Sequence, residues 1–168
     1  MELGREFHSF ALGWVKMKGA LPFAPPPEIE EAFDKYVEWH LATVEEVFAV
    51  EMLVEDRDHG YRGRLDLVAR LRYDRTASLI DLKRSYAVDR PTGFQLIAYR
   101  RPAERKLRRR IVRRLAILIP KDGPCRAVEF GLNPEGKRDP REDEKDWMGF
   151  LYCLNLRRIL RDGAQSIE

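Results

Sequence analysis

The segment from Ser78 to Ser85, SLIDLKRS, constrains the fold most, because it places two opposite charges inside a short apolar run. Its leucines and isoleucine are typical of a buried strand. Asp81 and Lys83 are two residues apart, so their side chains point to the same side of that strand. An unpaired buried carboxylate is costly. The pattern therefore predicts that Asp81 has a cationic partner.

A second carboxylate interrupts the preceding strand pattern, where Asp66 stands between two leucines in RGRLDLVARLRY. The short DRTA turn favours antiparallel pairing, which would bring Asp66 and Asp81 to one edge of the sheet. Taken alone, these residues leave three interpretations open: a buried ion pair of Asp81 with Lys83, charges alternating on a surface, or a divalent cation held by both carboxylates. Mg²⁺ prefers oxygen ligands, and a nearby lysine would stabilise the charge of a reacting phosphate.

The chain has 168 residues, 44% of them hydrophobic and 35% charged, which indicates one soluble domain with a heavily charged surface. The net charge of +3 does not by itself indicate nucleic-acid binding, but nine of the fifteen residues from Arg100 to Arg114 are Lys or Arg. Two cysteines without a CxxC motif argue against a disulfide scaffold and against a metal cluster held by cysteines alone. No signal-peptide core or membrane-spanning run is visible, so we expect an intracellular, cytoplasmic protein without a membrane partner.

Hydrophobic periodicity predicts an α/β (α+β) fold with a mixed central sheet flanked by helices. The predicted single domain, 1–168, comprises N-terminal helices in 1–43, a sheet with one helix in 44–130, and a C-terminal helix in 139–163 that ends at a glycine. The first three strands are expected to form an antiparallel meander. The predicted order is ααβββαββα, with strands at 47–56, 62–73, 78–85, 113–120 and 125–130 and helices at 2–18, 27–44, 91–108 and 141–163.

Four short motifs follow one another along the chain: GREFH (Gly4–His8), GRLDLV (Gly63–Val68), IDLK (Ile80–Lys83) and QLIAY (Gln95–Tyr99). Together they resemble the G-x-x-x-H, G-x-x-D, D-x-K and Q-x-x-x-Y motifs of the PD-(D/E)XK nuclease superfamily, and more narrowly its RecB-type branch with phage-type exonuclease relatives. D-x-K alone is a weak motif, whereas the ordered set is far more specific. The resemblance implies a restriction-endonuclease-like core. The two cysteines cannot build the four-cysteine iron–sulfur site of some relatives, and no Walker A motif is present.

The resemblance also implies a site for Mg²⁺ or Mn²⁺. Its expected ligands are His8, Asp66, Asp81 and the backbone carbonyl of Leu82. Glu51 is a further candidate, with an edge-strand acid or a lysine-paired acid as the alternative interpretation. An imidazole among the ligands makes Mn²⁺ a good substitute for Mg²⁺.

The expected catalytic residues are Asp66, Asp81, Lys83 and Gln95. By resemblance, Lys83 positions the attacking water and stabilises charge. Gln95 and Tyr99 are four residues apart on one predicted helix, so they share a face. Gln95 would orient Lys83 or contact the substrate backbone.

The chain has two further histidines. His40, on the second predicted helix, is a rival to His8 as a ligand. His59 lies in the polar turn DRDHG and is expected to be solvated.

DNA is the partner that the resemblance implies, and the expected activity is that of a deoxyribonuclease, most often an exonuclease in recombination, repair or DNA end processing among RecB-type relatives. The alternatives are a structure-selective endonuclease and a catalytically silent DNA-binding or assembly module. A homo-oligomer and a recombination or helicase partner both remain open. The basic run is interpreted either as a solvated face or as a phosphate-binding surface. The residues expected to contact nucleic acid are Arg84, Tyr86, Tyr99, Arg100, Arg101, Arg105, Arg108 and Arg109.

Overall fold

A computed structural model describes residues 2–164 of the chain and the side chains of residues 3–161. The protein is a mixed α/β fold in which a five-stranded sheet, in the order β1-β4-β5-β6-β7, is flanked by helices. The mixed central sheet expected from the sequence is therefore confirmed. The elements are α1 (Glu2–Lys16), α2 (Pro27–Thr43), β1 (Val44–Val50), β2 (Leu53–Asp56), β3 (Tyr61–Arg64), β4 (Leu67–Leu71), β5 (Ala77–Lys83), α3 (Arg90–Leu107), β6 (Ile111–Leu118), β7 (Arg126–Phe130) and α4 (Pro140–Ala164).

The observed order, ααβββββαββα, differs from the predicted one because two predicted long strands are each interrupted. Glu51 breaks the first with a φ of +46°, a left-handed conformation that non-glycine residues seldom adopt. The second predicted strand is interrupted at Leu65 and Asp66. This break lies directly opposite Glu51, whose N–H donates to the Asp66 carbonyl at 2.8 Å. Beyond these breaks, β2 and β3 form a separate two-stranded ribbon. Asp66 therefore lies at a bend between β3 and β4, not inside a strand.

The predicted meander is confirmed within the main sheet, since β1 pairs with β4 and β4 with β5, both antiparallel. β5 also pairs with β6 in parallel, across the connection through α3, and β6 pairs with β7 antiparallel. This arrangement makes β5 the central strand, and its residues from Ala77 to Leu82 are all buried. The pairing of Leu67 with Ile80 brings Asp66 and Asp81 to the same end of their strands.

The two faces of the sheet carry separate apolar cores. On one face, α1 and α2 pack Phe7 and Tyr36 against Ile80 and Leu82. On the other, α3 packs Leu96 against Leu79. This alternation is the period of two that a strand imposes, and it places Asp81 on the same side as Leu79, towards α3.

Helix bounds follow the predictions closely at α2 and α3. α1 ends at Lys16, two residues earlier than expected. The expectation that the last helix stops at a glycine is wrong, because α4 continues through Gly163 to Ala164. No helix within residues 2–164 is both long and apolar enough to cross a membrane.

Candidate metal centre

The carboxylates of Asp66 and Asp81 meet where β4 begins and β5 nears its end. Asp66 Oδ2 accepts a hydrogen bond from the backbone N–H of Leu82 at 2.9 Å, so the first acid is attached directly to the residue that follows the second. The side chains of both are mostly covered, with exposed fractions of 16% for Asp66 and 8% for Asp81. The bend at Asp66 is what allows its side chain to reach across to β5.

Lys83 provides the positive charge nearest to Asp81. Its Nζ lies 2.9 Å from Asp81 Oδ2, which confirms the ion pair that the sequence suggested. The ammonium of Lys83 is thus in direct contact with this carboxylate and lowers its pKa. Burial and the negative charge of Asp66 raise the pKa of Asp81 to about 6, against the lowering effect of Lys83. One lysine therefore does not balance two adjacent carboxylates.

His8 reaches the same place from α1. Phe7, its neighbour in sequence, is fully buried against the sheet and anchors this turn of the helix. The Nδ1 atom of His8 then lies 3.4 Å from Asp66 Oδ2. Burial lowers the pKa of His8, but a hydrogen bond and the charge of Asp66, the charge of Asp81 and a hydrogen bond to the Leu82 backbone outweigh it, so the pKa is raised overall. All four expected ligands are thus neighbours.

The chemistry of this set fits a hard divalent cation, which takes carboxylate and carbonyl oxygens and tolerates an imidazole. Asp81 Oδ2 already lies 2.9 Å from the ammonium of Lys83, so the excess of negative charge comes from the two adjacent carboxylates together and not from this atom alone. In the described part of the chain, no group of three or more His, Cys, Asp or Glu side chains is already arranged to hold a metal ion. His8 instead faces Asp66, and the ammonium of Lys83 stands beside Asp81.

Glu51 lies beside this centre but is already paired. Its Oε2 is 2.5 Å from Lys16 Nζ, and its Oε1 is 3.7 Å from Arg64 Nη1. Together with His8 and Asp66 it lines an open pocket of about 450 Å³. The lysine-paired alternative therefore describes Glu51 in this structure, at the rim of the candidate centre.

Gln95 and Tyr99 approach the centre from α3. Gln95 and Lys83 line one cavity of about 540 Å³ at the N-terminal end of α3. Burial raises the pKa of Tyr99, and the charges of Asp81 and Asp66 add to that effect, although a hydrogen bond with Gln95 and the charge of Lys83 oppose it. The shared helix face predicted from the spacing is therefore directed towards the carboxylates.

Gly63 has a role that sequence reasoning missed. A Cβ atom built at this position would overlap the ring of Tyr99, so only glycine lets the aromatic ring lie against β3. The signal was present in the sequence, because both residues belong to the recognised motifs. Their contact could not be inferred, because it joins two separate elements.

The other two histidines, His40 and His59, lie in different surroundings. His40 is a core residue whose Nδ1 lies 3.2 Å from the Tyr36 hydroxyl, and burial lowers its pKa to about 4. His59, expected to be solvated, is instead half-buried, with its Nδ1 3.1 Å from Asp56 Oδ1 and its ring edge-on to Trp147. A polar turn does not reveal such a partner, because Trp147 comes from α4.

Several residues expected to contact nucleic acid have partners within the protein. Arg100 Nη1 lies 2.6 Å from Asp143 Oδ2, and Arg105 Nη2 lies 3.1 Å from Asp56 Oδ2. Arg114, in the same basic run, is fully buried. These arginines therefore hold α3 and β6 to the rest of the fold.

Other residues that were expected to contact nucleic acid are exposed at the surface. Arg84 donates to the backbone carbonyl of Glu28 at 2.8 Å, and the Tyr86 hydroxyl donates to Asp122 at 2.7 Å. The guanidinium groups of Arg101 and Arg109 lie over aromatic rings, those of Trp147 and Phe48 respectively, with distances of 4.9 and 3.8 Å to the ring centroids. Exposed Arg108 closes α3 in a left-handed conformation.

The chain matches no protein-family model and no curated protein.

Proposed function

We propose that the protein is a metal-dependent nuclease that hydrolyses phosphodiester bonds of DNA, and that its sheet is a restriction-endonuclease-like core of the RecB type. The observation that carries this proposal is the pair of buried carboxylates, Asp66 and Asp81, with Lys83 2.9 Å from the second of them. Like charges that are buried side by side destabilise each other, so they are typical of sites that receive a cation. The four motifs of the sequence support the same proposal.

In this proposal, His8, Asp66, Asp81 and the Leu82 carbonyl would hold Mg²⁺ or Mn²⁺. The bound ion would lower the pKa of a water molecule and neutralise charge on the phosphate. Lys83 is one third exposed and follows Asp81 on the same side of β5, so its ammonium can turn from the carboxylate to a phosphate oxygen. There it stabilises the negative charge that develops during attack.

In this proposal, Gln95 positions Lys83 or the substrate phosphate. It lines the same cavity as Lys83 and lies one turn before Tyr99 on α3. An amide at this place can hold the lysine or donate to a backbone phosphate of the substrate. DNA end processing by an exonuclease is the activity that the RecB-type resemblance favours.

The test uses linear DNA with Mn²⁺ and the purified chain. The wild type should degrade the DNA, and EDTA should stop the reaction. Asp81→Asn and Lys83→Ala should each lower the rate by at least about 10²-fold, because each removes a charge that acts on the transition state. Asp34→Asn is the matched control, since Asp34 is exposed on α2. Cleavage that survives both active-site substitutions would contradict the site assignment.

A circular substrate in the same assay separates an exonuclease from the endonuclease alternative. A catalytically silent module is favoured by one observation, the ion pair between Lys83 and Asp81, which gives Asp81 a partner without a metal ion. Calorimetric titration with Mn²⁺ distinguishes that alternative. The nuclease should bind the ion, and Asp81→Asn should weaken that binding, whereas a silent module has no need of the ion.

A further inference from the structure

A second basic feature lies outside the run from Arg100 to Arg114. The turn between β2 and β3 and the C-terminal half of α4 enclose a pocket of about 440 Å³. We call it the arginine pocket. Its lining includes four arginines, one aromatic and one aliphatic residue: Arg62, Arg157, Arg158, Arg161, Tyr61 and Leu154.

Two arginines of the arginine pocket, Arg62 and Arg157, have no acidic partner among the described side chains. No Asp or Glu is among its lining residues in the described part of the chain. Within residues 3–161, the guanidinium groups of Arg62 and Arg157 form no ion pair and no hydrogen bond. The arginines of the predicted basic run behave in the opposite way, as Arg100 and Arg105 show by pairing with Asp143 and Asp56. Guanidinium groups that form no ion pair, such as those of Arg62 and Arg157, attract an anionic ligand.

The walls of the pocket are held in place by the fold. Arg158 donates to the backbone carbonyls of His59 and Gly60, which fixes its guanidinium against the turn. The Tyr61 hydroxyl donates to the carbonyl of Ala98 at 2.7 Å. Its ring packs edge-on against Phe150 of α4, so both sides of the pocket are tied together. A pocket of this kind does not need to be assembled by its ligand.

We infer that the arginine pocket binds a phosphate group of a nucleic-acid backbone, at a point separate from the candidate metal centre. Guanidinium groups suit this ligand because they donate pairs of hydrogen bonds to phosphate oxygens. The identity of the ligand as nucleic acid rests on the proposed function. The presence of a site for a phosphate group rests on the arginines alone.

The position of the arginine pocket suits a DNA strand that also reaches the candidate metal centre. Arg62 precedes Asp66 by four residues, so their Cα atoms lie at most about 14 Å apart. One DNA strand advances about 3.4 Å per nucleotide along the helix axis, so this backbone distance corresponds to roughly four nucleotides. The pocket would hold the substrate while the carboxylate centre acts on it.

The inference is tested by binding in EDTA, where no cleavage occurs. The affinity for a short fluorescent DNA duplex is measured over a range of salt concentrations. The slope of log K against log[salt] should fall by about 0.9 for each phosphate contact that is lost. The Arg62→Ala/Arg157→Ala variant should therefore have a slope smaller than that of the wild type by about 0.9 to 1.8.

The control is Arg75→Ala/Arg141→Ala, which removes the same charge from two exposed positions outside the pocket. We expect its slope to equal that of the wild type. Equal slopes for all three proteins, equal reductions in both variants, or no DNA binding by the wild type would each overturn the inference. A reduced slope confined to the pocket variant supports it even if the wild type fails to cut DNA, so the two proposals fail separately.

Discussion

Two largely covered groups of opposite charges in this protein are balanced differently. The first, here called the Arg114 cluster, joins Arg114 Nη2 to Asp143 at 2.6 Å and to Asp146 at 2.9 Å. Arg100 and Arg90 each add a further ion pair with one of these acids. The second is the candidate metal centre, in which two acids share one lysine and one histidine.

The pKa shifts of Asp143 and Asp81 show how differently the charges of the two groups are balanced. Burial raises the pKa of Asp143, but hydrogen bonds and charges from Arg100 and Arg114 outweigh it and leave the pKa below its ordinary value. Burial raises the pKa of Asp81 as well, and there the neighbouring Asp66 adds to the rise. Asp81 is the more deeply covered of the two, and it has a second acid beside it where Asp143 has arginines. We therefore expect the Arg114 cluster to stabilise the fold, whereas the candidate metal centre holds charge that a ligand could neutralise.

The largest effect is expected from Arg114→Ala. This change leaves Asp143 and Asp146 buried with less compensation, and breaking a buried pair in this way costs about 3–5 kcal/mol. Urea denaturation should show a correspondingly lower free energy of unfolding, with Arg141→Ala, an exposed arginine on α4, as the control. A loss no greater than that of the control would mean that the cluster does not stabilise the fold.

A smaller effect is expected from Asp143→Asn, together with a change in pH dependence. Because the folded pKa of Asp143 lies below its ordinary value of 3.8, its contribution to stability is present above about pH 4 and is lost as the pH falls through the folded value. The wild type should therefore lose thermal stability in acid more steeply than the variant. Parallel curves of melting temperature against pH for the two proteins would contradict the balance that we assign to this cluster.

The smallest effect on stability is expected from Asp81→Asn. The substitution removes one of two repelling carboxylates and leaves Lys83, which is one third exposed, in contact with water. The free energy of unfolding in the absence of metal should change by less than about 1 kcal/mol or should rise. The same variant should lose cleavage. A marked loss of stability would show that the Asp81–Lys83 pair is structural, like the Arg114 cluster.

Local patterns predicted much of the fold because strand and helix periods depend on nearby residues. The alternation around Leu79 and Ile80 predicted a buried strand, and Asp81 and Lys83 share a side as expected. The bend at Glu51 was not predictable, because a positive φ at a glutamate has no local signature. It turned two expected strands into four and placed Asp66 at a bend.

The candidate centre was easier to predict than the basic surface. His8, Asp66 and Asp81 were found through motifs, and the structure brings them together. The partners of arginines in the basic run come from distant parts of the chain, as Asp143 of α4 does for Arg100. Charge alone could not distinguish paired arginines from available ones, so the arginine pocket was missed.

The contact between Gly63 and Tyr99 has a consequence for the way such chains diverge. Because a side chain at position 63 would occupy the space of the ring, the two positions cannot change independently. Among related sequences we expect residues other than glycine at 63 only where position 99 carries a smaller side chain. A search for distant relatives can therefore treat the two positions as one joint criterion, although they belong to different motifs.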